Sequence, residues 1–340
     1  MGQYSTKNFD VALQMVQRAE TSDGPALLLQ GLCWLRLGKK DKGRKLIKRA
    51  YVVDRSLRDY ALLEGWMKNA GKSEADIHEA TLRTFWNYRV IDAFILSYPK
   101  CGRTWLRSIL SHYLAPEDDY DTEILKLTLA RADSLTVDVS HDDYPHWTPV
   151  SRLNQNKNAY KGKRVLFLIR DPRDILVSNF FQYTKRGDRE RAGDDFDGDL
   201  SAFIRHDIGG LRSIVRYYNT WAENRDVPAR FELMTYEDLR TEPNANVSKA
   251  VSFLGLPNLG VDRIAESVDY CSFANMQKRE KDGKTDDPRF GATKDGDSES
   301  LKVRKGQVGG FVDYFSAEDR DYVDRYLNDE LNDAYAFYKR

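Results

Sequence analysis

Apolar positions along the chain change rhythm once. Phe9, Ala12, Leu13, Val16 and Ala19 recur at helical spacing, three or four residues apart. Ser22-Asp23-Gly24-Pro25 breaks that pattern, and a second helical stretch follows. After Lys72, short β-rich runs alternate with helical patterns, the signature of βαβ units and a parallel sheet. Four strands are expected, at Ile91–Tyr98, Leu135–Ser140, Arg164–Ile169 and Arg230–Thr235. Helices are expected at Thr104–Leu114, Pro172–Thr184, Leu211–Glu223 and Asn246–Leu254. A last helix has Ser316 as N-cap with Asp319 three residues on, a capping box, and runs to about Phe337. Gly187–Asp199 and Gln277–Lys302 read as polar loops, the second long enough to be a lid.

Composition narrows the picture. A chain of 340 residues exceeds the roughly 150 of one domain, so two parts are expected. We divide it into a helical extension, residues 1–75, and an α/β domain, residues 85–340, whose parallel sheet is flanked by helices. Gly31, Gly38, Ala50 and Asp54 fall where a tetratricopeptide repeat puts its small residues and closing Asp, so the extension resembles one such hairpin. From Arg36 to Arg58 it carries ten Lys or Arg against two Asp, a solvated face or a surface for a protein partner or a second copy. Over the whole chain 53 Lys and Arg balance 53 Asp and Glu, which argues against nucleic acid held by bulk charge. No apolar run approaches the length of a membrane span. Cys33, Cys101 and Cys271 are widely spaced and odd in number, so neither a disulfide framework nor a metal site is expected. The expected compartment is the reducing cytoplasm.

Three segments carry candidate chemistry. Tyr98-Pro99-Lys100-Cys101-Gly102-Arg103-Thr104-Trp105 follows a strand and opens a helix, which brings main-chain N–H groups and a helix dipole to one spot suited to phosphate or sulfate. It is not a Walker loop, because Lys100 precedes its only glycine. In the second segment, Arg170 sits at the C-terminal edge of a strand, Asp171 caps, Pro172 takes the first helical position, and Ser178 lies about two turns on. An Arg with a nearby hydroxyl at that edge suits a second phosphate; the alternative is a surface pair with Asp174. The third, Arg304-Lys305-Gly306-Gln307-Val308-Gly309-Gly310-Phe311, sets two cations beside flexible glycines.

In this order and spacing the segments resemble sulfotransferases that use 3′-phosphoadenosine 5′-phosphosulfate (PAPS). YPKCGRTW resembles that family's 5′-phosphosulfate loop, RDPRDILVS its 3′-phosphate motif and RKGQVGGF its C-terminal RKGxxGxW segment. Cys271-Ser272-Phe273 with Met276 matches its TSFxxM. The resemblance covers about Phe85 to Arg340 and implies a P-loop-like sulfotransferase fold, with adenosine 3′,5′-bisphosphate (PAP) as product. It implies that Lys100, Cys101, Gly102, Arg103, Thr104 and Trp105 hold the 5′-phosphosulfate, with Trp105 beside the adenine. Arg170, Ser178, Arg304, Lys305 and Gly306 would hold the 3′-phosphate, and Phe273 would also contact adenine. The chain departs from the pattern at Cys101, Arg103, Cys271 and Phe311. The Tyr expected shortly before the Trp221 helix is replaced by Gly209, Gly210 and Leu211.

Deprotonating an acceptor hydroxyl calls for a base near neutral pKa, and histidine fits. His141 follows Leu135–Ser140 and lies between the first two motifs, where the family has its catalytic His; His146, five residues on, is the alternative. His112 reads as structural and His78 and His206 as surface residues. The family's Lys two residues before the base is here Val139. Asp142 or Asp143 is read as orienting His141 or raising its pKa, as facing a cationic or polyol acceptor, or as part of a solvated acidic loop. The acceptor is expected to be a small molecule, glycan or lipid-like alcohol, less readily an amine. The competing class is a non-catalytic scaffold on a degenerate fold of this kind.

Overall fold

The computed structural model describes residues 24–53, 91–114, 130–132, 135–142, 144–185, 189, 192–281 and 306–340. The chain divides into two compact units. The first, Met1–Ile91 with Asn154–Lys161, contributes two described helices, α1 (Gly24–Arg36) and α2 (Lys40–Val53). They meet closely at Gly31, where a Cβ would lie 2.7 Å from Ile47 Cγ1 and 2.9 Å from the Gly43 carbonyl. Only glycine permits that approach. Lys39, Lys42, Lys45 and Arg49 are exposed, and the Lys42 ammonium caps the Trp34 ring at 3.8 Å. The closing residues of the predicted repeat, Asp54 to Leu57, lie outside the described residues.

The second unit, Asp92–Leu153 with Gly162–Arg340, holds a five-stranded sheet. In chain order its elements are β1 (Ala93–Ser97), α3 (Arg103–Leu114), β2 (Ala130–Ala132), β3 (Leu135–Ser140), β4 (Arg164–Ile169), α4 (Pro172–Lys185), α5 (Leu200–Arg205), α6 (Leu211–Glu223), β5 (Arg230–Thr235), α7 (Tyr236–Thr241), α8 (Pro243–Leu254), α9 (Val261–Tyr270), α10 (Phe273–Lys281) and α11 (Ala317–Glu330). The strand order is β2-β3-β1-β4-β5. Four strands are parallel; only β2 is antiparallel, to β3. Every residue of β1 is buried, as a central strand covered on both faces requires. Helices α3, α8 and α9 pack together on one side, and α4, α5, α6 and α11 on the other.

From β1 the chain moves outward to β3, then crosses to β4 on the other side of β1. The strand order therefore reverses at β1 and β4, and open α/β sheets bind ligands in the crevice beyond such a switch point. All four predicted strands and five predicted helices are present. The three-residue β2 and helices α5, α7, α9 and α10 were not predicted. The expected loop from Gln277 begins inside a helix, α10, because the Met276 N–H bonds back to Ser272 O (2.9 Å) and the turn continues to Lys281; residues 282–305 lie outside the described residues.

The Ser316 cap forms as expected. Ser316 Oγ donates to Asp319 Oδ2 (2.8 Å) and accepts from the Asp319 N–H (3.0 Å). The helix stops at Glu330 rather than near Phe337: Leu331 turns extended, and Asn332 caps a 3₁₀ stretch, Asp333–Tyr338. Burial alone would raise the pKa of Asp319. Hydrogen bonds from Ser201, Arg205 and Ser316 outweigh it and hold the carboxyl below its usual range. A depressed carboxyl pKa gives stability that is present above the unfolded value and lost as pH falls through the folded one. Asp319→Asn is therefore expected to destabilise the protein by about 1–2 kcal/mol at neutral pH. Denaturant titration should show the gap from wild type narrowing below about pH 4.

Candidate active site

The site stands where β1, β3, β4 and β5 end. After Ser97 the chain makes a tight loop into α3, with Lys100 (φ 73°) and Gly102 (φ 85°) both left-handed. Left-handed lysine is strained, which marks a position the surroundings over-determine. Gly102 has a further constraint, since a Cβ there would lie 2.5 Å from the Tyr236 ring. Gly102→Ala is expected to cost about 1–3 kcal/mol in backbone strain alone. The loop would also be displaced, so thermal melting should fall and anion affinity with it.

The first turn of α3 presents the N–H groups of Arg103, Thr104 and Trp105, which have no acceptor within the helix. The Lys100 ammonium donates to Gln182 Oε1 (3.3 Å). Asp174, Ser178 and Gln182 are one turn apart on α4, so the loop lies along a single helix face. Ser178 is half-buried there.

Arg170 joins these parts. It follows β4, where its main chain is clamped by Tyr218: the hydroxyl donates to Arg170 O (2.8 Å) and accepts from Arg170 N (2.9 Å). Its guanidinium donates to Lys100 O (3.2 Å) and Gln307 O (2.8 Å), pairs with Asp174 Oδ2 (3.4 Å), and stacks on the Tyr236 ring at 4.4 Å. This is no surface pair, because Arg170 and Asp174 are both buried. Asp174 also accepts from the N–H groups of Gly309 (2.8 Å) and Phe311 (3.0 Å), pinning the C-terminal motif to α4. Phe311 is buried against Phe315 and serves as core.

Tyr236 is the residue that sequence reasoning missed. It touches Gly102, Trp105 and Arg170, and its hydroxyl donates to Gly306 O (3.2 Å). The signal was its place directly after β5, the same strand-end position that marks Lys100 and Arg170. Gly209 and Gly210 instead form a turn that leads into α6 at Leu211, and Gly209 O accepts from Asn179 (2.9 Å). Trp105 donates to Cys271 O (2.8 Å), and Phe273 lies against Gly306, where a Cβ would come within 2.5 Å of its ring. The structure thus gathers Lys100, Gly102, Thr104, Trp105, Arg170, Ser178, Phe273 and Gly306 at one edge. Arg304 and Lys305 lie outside the described residues. Cys101 is buried beside Tyr218 (3.6 Å), and burial pushes its thiol up to about 12.

His141 follows β3. Its Nδ1 lies 2.9 Å from Ser97 O. A carbonyl only accepts, so Nδ1 carries the proton and Nε2 is the basic nitrogen of the neutral ring. The buried His146 stands edge-on to it, ring centres 5.2 Å apart. Asp142 is buried and accepts from the Trp221 indole N–H (3.1 Å); Asp143 lies outside the described residues. His112 is structural, as expected, with Nδ1 2.9 Å from Ser267 Oγ and its ring on Tyr270. His206 is not a plain surface residue, since Nε2 lies 2.7 Å from Asp194 Oδ2 among Phe196, Phe203 and Tyr183. His78 lies outside the described residues.

A parallel sheet with cationic side chains and helix N–H groups at its switch point is the arrangement of an α/β protein with a ligand crevice at the strand ends. The model of the sulfotransferase domain matches residues 91–334, and the chain belongs to that family. Cytosolic sulfotransferase 5 of Arabidopsis thaliana is 24% identical over 267 residues, covering 72% of this chain and 80% of that protein. A flavonol sulfotransferase-like protein of Flaveria bidentis is 25% identical, over 71% and 82% of the two chains. Among solved structures, mouse sulfotransferase SULT7A1 complexed with PAP aligns over 72% of this chain and 86% of that one, with 19% identity and a TM-score of 0.49. No helix of the described residues is long and apolar enough to cross a membrane, and no cluster of metal-binding side chains occurs among them.

Proposed function

We propose that the protein transfers a sulfuryl group from PAPS to an acceptor hydroxyl, with His141 as general base and PAP as the second product. The observation that carries this reading is Arg170, which reaches the loop at Lys100 and the C-terminal motif at Gln307 with one guanidinium. A ligand with two separated anionic groups is the partner such an arrangement suits. PAPS supplies an activated S–O bond whose leaving group is a phosphate. Lys100 and the N–H groups of the first α3 turn hold the 5′-phosphosulfate and stabilise charge on the departing oxygen. Arg170 and Ser178 hold the 3′-phosphate, joined by Arg304, Lys305 and Gly306. Trp105, Phe273 and Tyr236 frame the adenine. His141 takes the acceptor proton at Nε2 while the oxygen bonds to sulfur and the S–O bond to phosphate breaks. The Ser97 carbonyl holds the ring in the tautomer that this requires.

Calorimetry with PAP and ADP tests the donor. PAP should bind at least about a hundredfold more tightly, because only PAP fills the second anion site. Equal affinity would end the assignment.

A further inference from the structure

Two routes lead from the 3₁₀ stretch Asp333–Tyr338 to Arg170. On the first, the buried Tyr335 ring packs on Tyr218, ring centres 5.4 Å apart. Tyr218 is the residue whose hydroxyl holds both the N–H and the carbonyl of Arg170. On the second, the Tyr338 hydroxyl donates to Glu237 Oε2 (2.8 Å), and Glu237 Oε1 accepts from the Asp171 N–H (2.9 Å). Asp171 follows Arg170 just past β4, and Glu237 follows Tyr236 just past β5. One carboxylate therefore ties together two strand ends whose side chains meet in the site, where the Arg170 guanidinium lies on the Tyr236 ring.

The 3₁₀ stretch is itself held. The fully buried Arg173 donates to Tyr338 O (3.0 Å) and to Asp324 Oδ1 (2.7 Å). Asn332 accepts from the Ala334 N–H (2.9 Å) at its start. Past its end, Asn328 Nδ2 donates to Arg340 O (2.6 Å) and Asn328 Oδ1 accepts from the Arg340 N–H (3.0 Å). The buried Tyr338 therefore brings its hydroxyl to Glu237 with little freedom. Neither Glu237 nor Tyr338 belongs to the three anion-binding segments. Both act on the frame behind them. A guanidinium that must meet two carbonyls and a ligand phosphate together tolerates only about 0.5 Å of play in that frame.

We infer that Tyr338 is a positioning residue for the donor site: through Glu237 and Asp171 it fixes where Arg170 stands, and so how strongly the protein selects a nucleotide that carries a 3′-phosphate. The inference rests on the sulfotransferase reading above, in which Arg170 holds that phosphate. A tyrosine serving only as core would contribute through its ring. Here the hydroxyl is spent on a carboxylate whose other oxygen fixes the main chain next to Arg170, and a bond to a charged acceptor is about twice as strong as a neutral one. Preorganisation of this kind raises affinity without touching the ligand.

The test uses the full-length protein and calorimetry with PAP and with ADP, which lacks the 3′-phosphate, run well below each variant's melting temperature. Tyr338→Phe keeps the ring and removes only the hydroxyl. Its Kd for PAP should rise by about 3- to 10-fold while that for ADP stays within about twofold. Glu237→Ala should raise the PAP Kd by about 10- to 30-fold. Glu237→Gln, whose amide oxygen still accepts from the Asp171 N–H, should stay within about threefold of wild type. Should Glu237→Ala fail to fold, Tyr338→Phe and Glu237→Gln carry the comparison. An unchanged PAP Kd in Tyr338→Phe, even with a lowered melting temperature, would leave the hydroxyl a part of the core alone and overturn the inference. Equal losses for PAP and ADP, or Glu237→Gln as damaging as Glu237→Ala, would also overturn it. If the wild type binds PAP no more tightly than ADP, the donor assignment fails first, an outcome distinct from any of these.

Discussion

Arg170→Ala is expected to weaken PAP binding by about 2–5 kcal/mol, roughly 30-fold to several thousandfold in Kd. The size follows from what the guanidinium touches. It bridges Lys100 O and Gln307 O, faces Asp174 and lies on Tyr236, all in a buried setting where charge-assisted bonds are strong. Removing it leaves the Asp174 carboxylate with main-chain donors only, so part of the loss would come from loosening at Gly309 and Phe311. Arg170→Lys separates the two effects. Lysine keeps the charge but cannot reach Lys100 O and Gln307 O together, so affinity should recover only in part. Calorimetry with PAP on the three proteins, beside their melting curves, reads the outcome. A Kd unchanged in Arg170→Ala would remove the residue from the donor site.

His141→Ala is expected to lower kcat by about 10²- to 10⁴-fold while PAP affinity stays within about twofold. The ring meets main chain at Ser97 and the edge of His146, so binding and chemistry should separate. His141→Gln sharpens the measurement, because an amide can keep the bond to Ser97 O but cannot take a proton. Single-turnover rates with PAPS and a phenolic acceptor should fall alike in both variants. The same loss in His146→Ala, with His141→Ala active, would move the base to the neighbouring ring.

The parts legible from sequence were those decided by nearby residues. Ala93–Leu96 and Val165–Ile169 are apolar throughout because they are buried on both faces, and no helix fits so short a run. Leu211–Glu223 matched at both ends because its apolar stripe is wide and continuous. The Ser316–Asp319 box is a contact three residues long and reads directly. Helix α10 went unseen because Phe273–Lys281 is mostly polar, and the end of α11 was overrun because Tyr335 and Tyr338 are buried in a 3₁₀ turn that keeps a helical rhythm. In the site, Lys100 and Arg170 could be placed because strand ends carry function in such sheets. The grip of Asp174 on Gly309 and Phe311 and the central place of Tyr236 join residues distant in sequence. Which helix face comes to lie over which strand decides them, and local pattern carries no such information.

Cys101 lies in the tight loop between β1 and α3. A thiol attacks electrophiles only as thiolate, and with a pKa of about 12 roughly one molecule in 10⁵ is in that form at neutral pH. Burial against Tyr218 also denies reagents a path to the sulfur. A cysteine in a loop at the strand ends, the edge where ligands of such sheets bind, would ordinarily be open to alkylating agents and peroxide. Here it is chemically silent, a small filler packed beneath the loop against Tyr218, and the protein should tolerate such reagents at this position as well as one with no cysteine in that loop.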